Sequence, residues 1–444
     1  MADVVRPQVR MRSRRARRVV NFSQIPQLDH VRRDLNAEQM ALETSTWLNL
    51  CFAEKILRKS EGDNSIEVTD IFSKPATSKG DNYASDMIRI TVEFSRDQGG
   101  RKISEKKSII IKASPTVDGV RQELIAQSGL FQTEILMMSD TLDKMNKVLD
   151  PKQRLSGKGL YVQNENPILL AIEDLAPLGF RMACRLSGLD LTHCVLALRG
   201  IARFHAASVA VCEKEPKQKD MYARGMFSSL QPLEMRNFFN MSVKALADEV
   251  ATWPEMKKYA DKITKLVDHI YQIGIDATRR SDDEFNVINH GDVWVNNMLF
   301  KYDNDGNPID HIFVDFQLCV YTSPALDLLY FLSTSPSPDV IENKKDILLN
   351  EYLGTLSMTM KQLNCNTQPP TMEELKAVLK RRASYGMIAS FTVLPIVLCC
   401  KTEAKDLGEL INEGFSNPGL KSESYKKLMQ KRLPLYDEWG LLDL

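Results

Sequence analysis

Residues 286–300 read NVINHGDVWVNNMLF, and residues 311–318 read HIFVDFQL. In both stretches, side chains that prefer water sit inside runs that prefer a core. His290, Asp292, Asn296 and Asn297 share one short loop, and Asp315 stands between Phe313, Val314 and Phe316. A carboxylate within an apolar strand is unfavourable unless a cation or several donors compensate it. Asp292 and Asn297 lie five residues apart, and after the turn DNDGNP at residues 303–308 a second strand delivers Asp315. Three oxygen-bearing side chains thus converge on one predicted hairpin, over about residues 297–318. A hard cation such as Mg2+ takes such oxygens, usually one or two from protein, with phosphates and water completing its shell. Phosphoryl transfer also needs a carboxylate beside the attacking hydroxyl, and D-x-x-x-x-N followed by a strand-borne Asp supplies both parts. His290 reads as a scaffold that bonds backbone behind Asp292 rather than as a base. The competing reading of HGDxxxxN alone is a capping loop rich in Asp and Asn; the apolar flanks of Asp315 argue against it.

Working outward, the helix predicted after Ser323 and Pro324, PALDLLYFL, carries Asp327 among Leu326, Leu328 and Leu329. A carboxylate there is expected to hold the loop around His290 and Asp292 by hydrogen bonds. Towards the N-terminus, Lys112 ends the β-branched run SIIIKASP on the same strand face as Ile110, so its ammonium points where apolar side chains do and needs an anion. Glu134 in GLFQTEILMM stands three residues after Phe131 and four before Met138, on the apolar side of its helix. Lys112 and Glu134 are natural partners, a pair able to aim the lysine at nucleotide phosphates. The competing reading has Lys112 snorkelling to solvent and Glu134 at a rim. The turn SKGDNYAS, residues 78–85, joins two strands ahead of Lys112, where a phosphate-covering loop belongs. Its one glycine, Gly80, makes it a weak glycine-rich motif.

The rest of the chain sorts into two lobes. A helix is expected near residues 36–60, then an antiparallel meander over about 66–113 (IEVTDIF, MIRITVEF, KSIIIKA), a long helix over about 119–148, and strands at YVQ and PILLAIED. Beyond Leu175 the periodicity is mainly helical: 191–212, 232–250, 255–280, 324–333, 372–401 and 421–431. The fold class is therefore α+β, with a mixed lobe at residues 30–175 and a helical lobe at 176–444, joined near EDLAPLG. Residues 1–29 read as a basic, disordered tail.

Composition excludes more than it names. With 444 residues, two lobes each have enough chain to bury a core. Lys plus Arg equals Asp plus Glu at 58 each, but residues 1–20 hold seven Arg against one Asp, so the body carries 51 basic and 57 acidic groups. A polyanion-binding body does not follow from that balance, and no nucleic-acid partner is expected. The tail itself reads as a solvated leader, with a nuclear or organelle address as rivals. The longest apolar run, Met387–Cys400, is 14 residues with Pro395 inside it, too short to span a bilayer, and reads as a buried C-terminal helix. Eight cysteines show no CxxC pairing and read as reduced core thiols of a cytoplasmic protein.

With these pieces in place, the sequence resembles the ecdysteroid kinase-like (CHK kinase-like) family of insects, relatives of choline kinases and aminoglycoside phosphotransferases. The matching segments are SKGDNYAS, SIIIKASP, LFQTEI, LLAIEDLAPLGFR, ARFHAAS, INHGDVWVNNMLFKYD, HIFVDFQL and SPALDLLYFLSTS, in that order from about residue 78 to 335. The resemblance implies a bilobal protein-kinase-like fold, with a small antiparallel-sheet N-lobe and a large, mainly helical C-lobe. It implies ATP and Mg2+ as cofactors, Asp292 as the catalytic Asp, and Asn297 and Asp315 as metal ligands. Lys112 with Glu134 would aim the nucleotide, Gly80, Asp81, Asn82 and Tyr83 would cover its phosphates, and the linker from Glu173 to Leu175 would offer backbone groups to adenine. The expected activity is phosphorylation of a hydroxyl on an ecdysteroid, another sterol or a lipophilic xenobiotic. The alternative is a catalytically silent kinase-fold protein that binds a ligand or a partner. A protein kinase is disfavoured, because neither HRD nor DFG followed by an APE-bounded segment is present.

Overall fold

The computed structural model describes residues 47–77, 85–115, 120–400, 402–405 and 417–444. The basic tail, the first part of the helix expected over 36–60, and the candidate residues Gly80, Asp81, Asn82 and Tyr83 lie outside the described residues. Nearly all the described residues belong to one compact unit, Asn49–Leu444.

A helix at Leu50–Glu61 opens that unit. Asn49 caps it by accepting the Phe52 N–H, and Gly62 ends it in the left-handed region at φ 66°. Strands Glu67–Pro75 (β1), Asp86–Gln98 (β2) and Arg101–Ala113 (β3) follow, then Gly159–Gln163 (β4) and Leu169–Glu173 (β5). They form one antiparallel sheet in the order β1-β2-β3-β5-β4. Alternation decides its faces: Ile88, Ile90, Val92 and Phe94 of β2 are buried, while Arg89, Thr91 and Glu93 between them are not. The register places Lys112 opposite Met87 on one side and Leu170 on the other.

The helix expected over 119–148 is broken. It runs as Val120–Ser128, Leu130–Leu136, a π turn at Met137–Thr141, and Leu142–Val148. Gly129 at φ +72° makes the first break, a conformation open to glycine without strain. The apolar period of the two halves is close enough to continuous that the sequence pattern hides the joint.

Beyond the linker the structure is mainly helical. The core helix Leu191–Lys214 packs against Lys345–Gln362, a helix absent from the sequence-based expectation. Its buried residues Leu348, Leu349, Tyr352, Leu356 and Met360 follow the helical period, but polar residues interrupt the stripe. The run Met387–Cys400 is not one helix either: Ala383–Thr392 and Leu394–Leu398 meet at Val393, with Pro395 in the first turn of the second. Among the described residues Leu191–Lys214 alone is long and apolar enough to cross a membrane, and most of it is buried inside the protein. Cys194, Cys212, Cys319 and Cys399 are buried, whereas Cys51, Cys184 and Cys400 are exposed, which corrects the expectation of core thiols for those three.

The hairpin expected over 297–318 is Met298–Tyr302 (β8) and Pro308–Phe313 (β9), widened to three strands by Phe180–Met182 (β6). Its turn is organised by Asp303, whose Oδ1 accepts the N–H groups of Asp305 (3.0 Å) and Asn307 (2.8 Å). A second antiparallel pair, Val287–Asn289 (β7) with Val320–Thr322 (β10), brackets the loop at residues 290–297.

Candidate active site

The loop after β7 is held from behind. Asp327, 1% exposed, accepts the backbone N–H groups of His290 and Gly291, each at 2.8 Å, and lies 3.0 Å from His205 Nε2. The other His205 nitrogen meets the Tyr352 hydroxyl at 2.9 Å. Asp327 is in the helix Ala325–Thr334, which starts one residue after the expected position; Ser323 Oγ accepts the Ala325 N–H at 3.3 Å. Gly291 has φ +82°, and a Cβ there would sit 2.0 Å from the Leu318 carbonyl oxygen. No other residue fits that turn.

His290 faces the second strand. Its Nε2 is 3.0 Å from the Val314 carbonyl, and its Nδ1 receives the Asp292 N–H at 3.3 Å. Those partners require the proton on Nε2, and burial lowers its pKa, so the ring is a neutral bridge. Asp292, next in the loop, is half-buried. Its Oδ1 accepts from the Tyr330 hydroxyl at 2.6 Å and its Oδ2 from Asn297 Nδ2 at 2.8 Å; the same Asn297 amide donates to the Asp292 carbonyl at 3.0 Å. Burial, then the charge of Asp315, raises the Asp292 carboxyl to about 7 against those donors.

Asp315 follows β9 with φ +68°, a left-handed conformation that Asp tolerates better than most residues. The bend turns its carboxylate out of the strand and onto Lys112, Oδ1 to Nζ 2.7 Å. Lys112 also meets Glu134 Oε2 at 2.6 Å, with both side chains at most 3% exposed. One ammonium thus joins the sheet, the helix Leu130–Leu136 and the hairpin. Burial would lower the Lys112 pKa, but Asp315 and Glu134 outweigh it and hold it above its ordinary value. Burial pushes the Glu134 carboxyl up, against the attraction of Lys112.

At the linker, the Glu173 N–H donates to the Lys158 carbonyl (2.9 Å), and its carboxylate accepts from Arg154 and the Lys158 N–H. Leu175 is buried, with its carbonyl accepting from Leu178 and Phe180. A ligand at the linker must use other backbone groups. Asp174 between them is tied to Arg89 Nε (2.8 Å), Ser108 Oγ (2.6 Å) and the Ala176 N–H (3.1 Å). Despite its burial these bonds hold its carboxyl below the usual value.

Four of these residues were not singled out from sequence: Tyr330, His205, Tyr352 and Asp174. Tyr330 had a signal, since it stands three residues after Asp327 and so on the same helix face. His205 stands in the matching segment ARFHAAS, but nothing local pointed to its partners: it lies 122 residues from Asp327 and 147 from Tyr352.

In sequence, residues 79–365 match the model of the Ecdysteroid kinase-like family. No curated protein matches the chain. Among solved structures, the amicoumacin kinase hAmiN in complex with AMP-PNP, Ca2+ and Ami is similar at 13% identity and a TM-score of 0.37, over 78% of this chain and 85% of that one. The ADP-bound aminoglycoside phosphotransferase APH(2'')-Ib is similar at 12% identity and a TM-score of 0.27, over 72% of this chain and 95% of that one.

Proposed function

The chain belongs to the ecdysteroid kinase-like family, and from that premise we propose that it is an ATP- and Mg2+-dependent small-molecule O-kinase. Its acceptor is a hydroxyl on a lipophilic molecule: an ecdysteroid, another sterol or a xenobiotic. Work in the cytoplasm, with detoxification as one use, belongs to the same proposal. The observation that carries it is the buried ammonium of Lys112 bridging Glu134 and Asp315, together with the Asp292 carboxylate held by Tyr330 and Asn297.

In this reading Asp292 orients the acceptor hydroxyl and takes its proton. Tyr330 and Asn297 hold the two oxygens of that carboxylate in place. Asn297 and Asp315 would hold Mg2+. The donor set fits, being a carboxylate and an amide oxygen, and Asp315 already sits against a positive charge in the Lys112 ammonium. Magnesium, when bound, supplies neutralisation of phosphate charge. Lys112, aimed by Glu134, binds the nucleotide phosphates, with Gly80, Asp81, Asn82 and Tyr83 covering them and the backbone around Glu173 and Leu175 meeting adenine. His290 and Asp327 position the loop without touching substrate.

The test is ATP consumption by the purified chain against ecdysteroids, other sterols, choline-like amines and plant glycosides. Asp315→Ala is expected to lower turnover by roughly 100-fold or more, as loss of central electrostatic groups does; wild-type turnover in that variant would overturn the metal assignment. A silent kinase-fold binder would show no Mg-ATP-dependent rise in melting temperature, whereas saturation at about 100 times Kd stabilises a binder by about 2.7 kcal/mol.

A further inference from the structure

The helix that carries Glu134 continues into the π turn Met137–Thr141, where a buried polar network fastens it to the helical lobe. Thr141, Gln218 and Tyr222 are each at most 1% exposed. The Thr141 hydroxyl donates to Gln218 Oε1 at 2.8 Å, so its 2.5 Å contact with the Tyr222 hydroxyl has Tyr222 as the donor. Gln218 Nε2 donates to Asp140 at 2.8 Å, which settles the orientation of that amide. Lys144 then links Asp140 to Glu215. Every polar side-chain group in the chain from Tyr222 to Asp140 has a partner, so the network favours one geometry.

Tyr222 also reaches the other half of the site. Its backbone carbonyl accepts the Tyr321 N–H at 2.7 Å, and Tyr321 in β10 is registered with Ile288 in β7, two residues before His290. Thr141 lies seven residues, about two turns, beyond Glu134. The hydroxyl of Tyr222 therefore holds the helix that aims Lys112, while its carbonyl holds the strand pair that presents Asp292.

We propose that Tyr222 is a positioning residue that ties these two halves together, and that nucleotide affinity depends on its hydroxyl. This rests on the kinase reading above. π turns are frequent at functional sites, and here the turn brings Thr141 to the partner that fixes the helix rotation. The latch is built entirely from side chains and backbone of this chain.

The experiment compares Tyr222→Phe, Thr141→Val and Thr141→Ser with Tyr436→Phe. The last removes a comparable buried contact, Ser390 Oγ to Tyr436 hydroxyl at 2.8 Å, outside the network. Mg-ATP affinity is read by calorimetry and amide exchange by mass spectrometry, on the full chain. Tyr222→Phe and Thr141→Val are expected to weaken Mg-ATP by about fivefold, within the usual range of coupling energies, and to speed exchange in residues 130–141. Thr141→Ser restores both, and Tyr436→Phe changes neither. Unchanged affinity in Tyr222→Phe and Thr141→Val overturns the proposal. If the wild-type chain ignores Mg-ATP, the kinase reading falls; the tie itself is then decided by exchange, and unaltered protection at 130–141 in Tyr222→Phe refutes it.

Discussion

Replacing Lys112 with Met removes a charge while keeping most of its volume, and the structure sets the size and pH dependence of the consequence. Glu134, 2% exposed, loses the ammonium 2.6 Å away, and its carboxylate is left buried without a counter-charge. The least unfavourable response is to take up a proton. At pH 7 this costs about 1.4 kcal/mol for each of the roughly 2.5 pH units above the ordinary 4.5, or about 3.5 kcal/mol. Because burial already raises Glu134 in the wild type, about 3.5 kcal/mol is a ceiling for this group. Asp315 adds less, being 20% exposed and able to draw on water. In the variant the folded state holds a proton that the unfolded state lacks, so stability falls as pH rises above 4.5 and recovers as pH drops. Urea unfolding followed by tryptophan fluorescence should therefore show Lys112→Met destabilised by up to about 3.5 kcal/mol at pH 7, and by up to about 0.7 kcal/mol at pH 5. Adding Glu134→Leu should recover most of the loss. A deficit that is equal at both pH values, or that the second substitution leaves in place, would refute the argument.

Other outcomes follow from single contacts. Asp327→Ala strands two buried N–H groups, those of His290 and Gly291, each worth about 1–3 kcal/mol; a loss of roughly 2–6 kcal/mol in urea unfolding is expected, with activity falling in parallel. Gly291→Ala places a methyl 2.0 Å from the Leu318 carbonyl at a positive φ, so its soluble yield and melting temperature should drop more than for Ala substitution at the open Gly306. His311 is held neutral, its pKa lowered to about 3 by burial and then by the charge of Arg203. The unfolded state alone takes a proton below about pH 6.5, so this one group contributes a loss of about 1.4 kcal/mol per pH unit from there towards 3, while Asp292 contributes in the opposite sense; the difference in slope between wild type and His311→Gln isolates the histidine.

The candidate site was legible to the extent that its residues contradict their surroundings. Asp292, Asp315, Lys112, Glu134 and Asp327 each stand out as polar groups in apolar runs, and that conflict is a local property of the chain. The meander and the hairpin were legible for a related reason: alternation with period two and turn chemistry both act over a few residues. The helix Lys345–Gln362 escaped because polar positions dilute its stripe. The break at Gly129 escaped because the helical period continues across it.

Local sequence thus determined which elements form and which polar groups must find partners, because dihedral preference and periodicity operate between near neighbours. Tertiary packing alone decided who the partners are. Lys112 meets Asp315 across 203 residues of chain, Asp327 meets His205 across 122, and Tyr222 meets Thr141 across 81. At such separations the chain imposes no distance, and only the docking of sheet, helix and hairpin brings the atoms within hydrogen-bond range.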